Sequence, residues 1–349
     1  MMTSLYDKLQ NSPENDDVLN VTLVLGDVIN ITSHTEPHGL DPSLTPGHFW
    51  TLKILTAVLA LLSLGFNTLA LISILKYYYH FSVSCRFVFN LLVVDLLFSA
   101  IVLCREVLEL LQQSSVSREV CVGFFSAILF TGSTVQLSLF LAVLDNFVAV
   151  MFPFRYRIVL TATAAHFAIG VTWVYGVAVM IVLPNLSVLS DWRSSSVCQL
   201  NRVFTAWFRA LLVVQLGLVT VLLISLYLCV LNVAARHHRR LIVRGVEYLP
   251  EEEREKIREK YSHVQCKGLL VLSFFVCWVP FCLVQSLDSV FSPDTFTVLA
   301  HYASLFVLFN AAANPLVCVW RNRHFRVAVQ SLLGMEVALG TVHVTVLSM

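Results

Sequence analysis

Charge is scarce in this sequence, and neither sign prevails. Only 13% of the 349 residues are Asp, Glu, Lys or Arg, and the formal net charge is +1. A soluble domain carries about 25% charged residues. With 57% hydrophobic residues and a mean hydropathy of +0.77, this chain cannot hide its apolar surface from water by folding on itself. An ordinary soluble enzyme, a disordered regulator and a collagen-like fibre are excluded. The missing basic excess argues against nucleic acid as a partner. Cysteine clusters are missing as well. The nine cysteines (Cys85, Cys104, Cys121, Cys198, Cys229, Cys266, Cys277, Cys282, Cys318) are scattered through apolar runs, where a thiol acts as a small hydrophobe. No CxxC or Cys/His spacing for zinc occurs, and His237-His238 reads as a solvated face in a basic loop. An integral membrane protein remains.

Seven apolar runs are long enough to cross a hydrocarbon core about 30 Å thick, which takes about 20 residues of helix. They are 54–75, 87–111, 121–151, 165–184, 204–234, 266–290 and 296–320. The runs are continuous rather than alternating, so they predict helices and not barrel strands. The expected fold is an all-α membrane protein, a seven-transmembrane helix bundle. Its parts are a polar tail (1–49), the bundle (50–320) and a cytoplasmic end (321–349). No signal peptide stands at Met1, so the first span is expected to direct insertion. Lys and Arg collect between spans one and two, three and four, five and six, and after seven. The loops on the other side are poorer, with Arg118, Arg193 and Arg202. By this bias the amino terminus is outside and the carboxyl terminus inside, at the plasma membrane. The glycosylation sequons at Asn20, Asn30 and Asn185 all fall on the expected outer side.

Two cytoplasmic segments have patterns of their own. Pro250 followed by Glu251, Glu252 and Glu253 marks a helix start, so span six is expected to begin in the cytoplasm near 251. After span seven, Phe325, Val327, Ala328, Leu332 and Leu333 alternate with Arg321, Arg323 and Arg326, as in a short amphipathic eighth helix lying on membrane lipid. Within the spans, Asp95 is the clearest ionisable group at membrane depth. Asn67, Asn310 and Asn314 could converge on it, either to hold a small hard cation or only to glue helices together. Pro280 beside Trp278, and Pro315 after Asn314, bend spans six and seven. Two bent helices beside a buried carboxylate suit a bundle with two packings, although static kinks are common in membrane proteins.

Over roughly 50–333 the sequence resembles the rhodopsin-like, or class A, G-protein-coupled receptors. The resemblance is carried by Gly65-Phe66-Asn67, Asn90 to Asp95, Cys121, Trp173, Cys277-Trp278-Val279-Pro280, Asn314-Pro315 and Arg321 to Arg326. It implies a Cys121–Cys198 disulfide and a sodium ion at Asp95, Asn67, Asn310 and Asn314, with no other cofactor or metal. Val135 stands where the family usually has a serine ligand. The implied switch residues are Phe274, Trp278, Pro280, Asp145, Asn146, Tyr227, Pro315 and Cys318. Two of these depart from the pattern. Asn146 replaces the arginine that ends span three in the family, and Cys318 replaces the tyrosine after Asn314-Pro315. The acid at the base of span six is missing too, with Lys260 near that place. The expectation is therefore an inactive-state ion pair with neither partner, easier opening, and a weaker grip on a G protein.

The implied ligand pocket comprises Ile128, Leu129, Gly132, Phe281, Cys282, Gln285, Tyr302 and Leu305. Amine receptors carry aspartate at the place of Ile128, and opsins carry lysine at the place of Leu308. Arg105, Glu106 and Glu109 at the outer end of span two suit either a charged ligand group or a salt-bridged rim. An apolar pocket with few polar anchors suits a lipid or another neutral small ligand, with a peptide also open. The missing proline in span five and Pro153-Phe154-Arg155-Tyr156 look most like the branch of melanocortin, lysophospholipid, cannabinoid and adenosine receptors. The expected function is a cell-surface receptor that signals an outside ligand through helix rearrangement, with a heterotrimeric G protein as partner. The second reading is a decoy, or a partner in a receptor heteromer, that binds without activating G proteins. No transporter repeats and no enzyme constellation are seen.

Overall fold

A computed structural model describes residues 46–77, 83–111, 117–188, 198, 200–243, 250–287, 290–321 and 323–332. Eight helices organise them: α1 (Pro46–Tyr77), α2 (Val83–Leu111), α3 (Arg118–Met151), α4 (Ala162–Val177), α5 (Ala206–Val243), α6 (Glu251–Ser286), α7 (Pro293–Arg321) and α8 (Arg323–Leu332). Short helical turns at Tyr156–Val159 and Leu200–Val203 fill two of the connections. Among the described residues the only β contact is a single antiparallel bridge between Val188 and Phe204. The sequons at Asn20 and Asn30 lie outside the described residues, as do the side chains of Lys260, Arg321, Arg323 and Phe325.

Local chemistry sets the helix ends. The Ser117 hydroxyl accepts from the amide of Val120 at 3.4 Å, and Thr161 accepts from Ala164 at 3.2 Å, capping α3 and α4. Pro250 precedes α6, and Glu251, Glu252 and Glu253 occupy its first turn at the positive end of the dipole. That helix begins where the proline–glutamate run predicts. Six helices (α1, α2, α3, α5, α6, α7) are each long and apolar enough to cross a membrane. The fourth run is broken differently. α4 stops at Val177, the backbone widens into π turns over Ala178–Val182, and one more α turn covers Leu183–Leu186. Pro184 explains the widening, because it offers no N–H and its ring crowds the carbonyl four residues back.

The helices close into a ring in the order α1, α2, α3, α5, α6, α7 and back to α1, with α4 packed outside α2 and α3. The distribution of side chains is that of a protein dissolved in lipid. Leu61, Leu75, Phe167, Val174, Val214 and Leu218 point outward and are exposed. Ser63, Asn67, Asn90, Asp95, Asn310 and Asn314 are buried among the helices. In hydrocarbon, polar groups turn to one another because no water is present to satisfy them.

Candidate functional site

At the end of the bundle nearest Cys198 a cavity of about 230 Å³ opens among α3, α5, α6 and α7, with α1 and α2 at its rim. On α3 the lining residues Phe125, Ile128, Leu129, Gly132, Ser133 and Gln136 recur at helical spacing and form one stripe. Phe281, Cys282 and Gln285 face it from α6, and Leu305 from α7. Tyr302 does not line it, contrary to the sequence expectation. The face of α7 turned inward carries His301, Ser304, Leu305 and Leu308, and a residue one position past His301 is rotated about 100° from that stripe. The body of the cavity is apolar, with a few polar groups. The Gln136 amide donates to the Leu216 carbonyl at 3.0 Å, and Gln215 donates to Gln136 at 3.4 Å. Buried Gln285 Oε1 has no hydrogen-bond partner among the described residues.

The charges at the mouth form a network. Lys53 of α1 pairs with Glu106 at 2.7 Å and also with Glu109, and Arg105 Nε meets Glu109 at 2.6 Å. The Arg105 guanidinium lies 5.8 Å from the Phe125 ring centre. The rim alternative therefore describes these residues in this structure, although Lys53, Arg105 and Glu106 also line the cavity. Lys53 escaped the sequence reading because it sits just before the apolar run of span one. Two acids facing one arginine were the signal that a second base was needed.

Trp278 forms the floor. Its ring stacks on Phe274 at 5.2 Å and meets the edge of Phe281 at 6.3 Å. A Cβ on Gly132 would stand 3.1 Å from the indole, so glycine lets α3 approach it. The indole N–H donates to Asn310 Oδ1 at 3.4 Å, and Asn310 Nδ2 donates to Ser273 at 3.0 Å. Asn310 thus faces α6 rather than Asp95. Asn314 does reach the carboxylate, donating to Asp95 Oδ2 at 2.8 Å. Asn67 lies beside them and donates to the Ala311 carbonyl at 3.1 Å. Asp95 Oδ1 and Asn67 Oδ1 are buried without hydrogen-bond partners among the described residues. Val135 is buried in the apolar core nearby and supplies no ligand atom. A further polar joint ties three helices: Trp173 of α4 donates to Asn90 of α2 at 2.9 Å, and Asn90 donates to Ser138 of α3 at 2.6 Å.

The half of the bundle away from the cavity holds an ion pair at Asp145 that the sequence reading did not include. Lys267 of α6 reaches Asp145 with Nζ–Oδ2 2.6 Å, and the two side chains are 5% and 1% exposed. Ser84 of α2 donates to the same carboxylate and accepts from Lys267 at 3.2 Å. The Tyr156 hydroxyl donates to Asp145 Oδ1 at 2.7 Å. Burial first, and then the bond to Asp145, raise the pKa of that phenol well above its usual value, so it stays a donor. Asn146 is buried, and its Nδ2 has no hydrogen-bond partner among the described residues. Tyr227 of α5 lies over the backbone of Gly268, where a methyl group would overlap its hydroxyl. Cys318 is buried against Cys266. Lys267 was missed although the signal was there, since a lysine inside Cys266-Lys267-Gly268-Leu269-Leu270 is an ionisable group in an apolar run.

At the cavity end of the bundle Cys121 and Cys198 form a disulfide with Cα atoms 5.9 Å apart, packed among Val122, Val203, Phe204 and Phe208. Asn185 is exposed in the last turn after α4. Pro280 and Pro315 lie inside α6 and α7.

Comparison with known proteins agrees with this architecture. A family model described as 7 transmembrane receptor (rhodopsin family) matches residues 66–317. The alpha-1A adrenergic receptor of Oryzias latipes is 24% identical over 342 residues, covering 86% of this chain and 70% of its own length. The human histamine H2 receptor is 24% identical over 303 residues, covering 84% and 82%. The cannabinoid receptor type 1B of Takifugu rubripes is 26% identical over 217 residues, covering 57% and 44%. These relatives fall in several subfamilies and single out none. The bundle, its buried polar joints and a family match over most of its length make this chain a member of the rhodopsin family of seven-transmembrane receptors.

Proposed function

We propose that this multi-pass plasma-membrane receptor, not an enzyme, binds an extracellular amphiphile of small size in the cavity above Trp278 and signals by rearranging α6 against α3. Its amino terminus is outside and its carboxyl terminus is inside. One observation carries the reading: the cavity floor is the indole of Trp278, itself joined through Asn310 to α7. A ligand that presses on this floor acts on both bent helices at once. Phe281, Leu129 and Leu216 offer an apolar wall, and the unpartnered Gln285 carbonyl suits a ligand N–H or O–H. The adrenergic and histamine receptors bear names of amine ligands, yet Ile128 offers no countercharge for an ammonium group. A lipid or another neutral small molecule suits this wall better, and a peptide reaching in from the mouth is the other candidate.

Asp95 Oδ1 and Asn67 Oδ1, both buried and unpartnered, suit a sodium ion, which would supply positive charge beside a carboxylate in the closed bundle. G-protein coupling is the expected output, weakened by Asn146 and Cys318. The second reading, a binder or heteromer partner without G-protein output, is favoured by those two residues. A recruitment screen for G proteins and arrestin, run with lipid, small-molecule and peptide libraries, tests the proposal. Hits should lose potency at least about tenfold in Leu129→Trp, which fills the cavity. Hits indifferent to that change would place the ligand elsewhere. Binding without recruitment would favour the second reading.

A further inference from the structure

We propose that Asp145 and Lys267 form a latch that holds the cytoplasmic ends of α3 and α6 closed, taking over the task of an ion pair whose usual residues this chain lacks. It deepens the signalling reading above, because it names the contact that must break when α6 moves. Four observations support it. The pair is charged at both ends, buried at both ends, and joins two different helices at 2.6 Å. Its remaining valences are filled by groups from two more elements, Ser84 of α2 and Tyr156 of the short turn after α3. Lysine at a helix end usually extends along the lipid toward water. Lys267 instead turns inward and is buried.

Its position also gives it leverage. Lys267 lies thirteen residues from Pro280, the bend in α6. At 1.5 Å per residue that is an arm of about 20 Å, so a swing of about 10° carries Lys267 about 3 Å and parts the pair. Next to it, the Tyr227 ring covers Gly268, so the same swing unpacks α5 from α6. Once parted, both charges need water, and opening of the cytoplasmic end supplies it. A latch of this kind makes the closed state the dry state and the open state the wet one. Asn146, one position along α3, is short and neutral and cannot substitute for either partner.

The test reads geometry and needs no ligand or G protein, so a chain that recruits nothing is judged by the same distances. Spin labels replace the exposed residues Met151 at the end of α3 and Glu253 at the start of α6, in a full-length chain whose exposed Cys104 and Cys229 are serine. Distances are measured by double electron–electron resonance in lipid nanodiscs for three chains: the parent, the neutral double variant Asp145→Asn with Lys267→Met, and the charge swap Asp145→Lys with Lys267→Asp. The double variant leaves no charge alone in the interior, and such replacements are usually tolerated. The latch predicts that the double variant moves its main distance outward by about 5 Å or more, from the same lever arithmetic. It also predicts that the swap keeps the parent distance. A folded double variant with the parent distribution would overturn the latch and leave a structural glue. Should the double variant fail to give a monodisperse sample, the swap decides alone: the parent distance supports the latch, and an open one overturns it.

Discussion

At the residue scale, much of this receptor depends on positions where a small side chain lets a large one in. Gly268 is the sharpest case, since any Cβ there would collide with the Tyr227 hydroxyl. Gly268→Ala is expected to lower stability by about 1–3 kcal/mol, as overpacking does. Adding Tyr227→Phe should return part of that loss, and thermal unfolding of the purified chains reads both. Asn90 is a second case, holding the Trp173 N–H on one side and Ser138 on the other. Asn90→Leu strands a half-buried indole N–H and should cost about 1–3 kcal/mol by the same measurement. Asn146 and Cys318 are expected to limit signalling rather than folding. Restoring Asn146→Arg with Cys318→Tyr should raise second-messenger output at equal surface expression. Wild-type output equal to that of the restored chain would mean the two departures are silent.

At the element scale, α3 is the axle. It packs on α2, α4, α5 and α6, carries the cavity stripe toward one end and Asp145 toward the other, and is tied by Cys121 to the segment before α5. Cys198→Ser frees that segment beside the cavity. Removing such a bond typically costs about 2–5 kcal/mol, so surface expression at 37 °C should fall severalfold, read by flow cytometry. Wild-type expression would show that the Phe204–Phe208 cluster holds this end without the bond. The helices themselves were plain in the sequence, because long apolar runs and Pro250 with its glutamates are local signals. Of the cavity stripe on α3, family placement supplied Ile128, Leu129 and Gly132, while Phe125, Ser133 and Gln136 came only with the structure. What was hidden depends on two distant residues meeting. Nothing local to Lys267 says that it faces Asp145 rather than lipid, and nothing local to Lys53 says that it reaches Glu106. The misplacing of Tyr302 was an error of one helical position, which sequence alone fixes poorly where a helix is apolar on every side.

At the scale of the whole molecule, everything turns on the fourth crossing. Six helices are long and apolar enough by themselves, while α4 reaches across only with its π turns and the segment to Leu186. Seven crossings leave the two ends in opposite compartments, and six would leave them in one. The cavity and the latch then face the right solutions only in the first case. Epitope tags at both termini of the expressed chain, stained in intact and in permeabilised cells, decide between the two. Staining of the amino-terminal tag on intact cells, with the carboxyl-terminal tag visible only after permeabilisation, is the predicted result. Both tags on the same face would contradict the account.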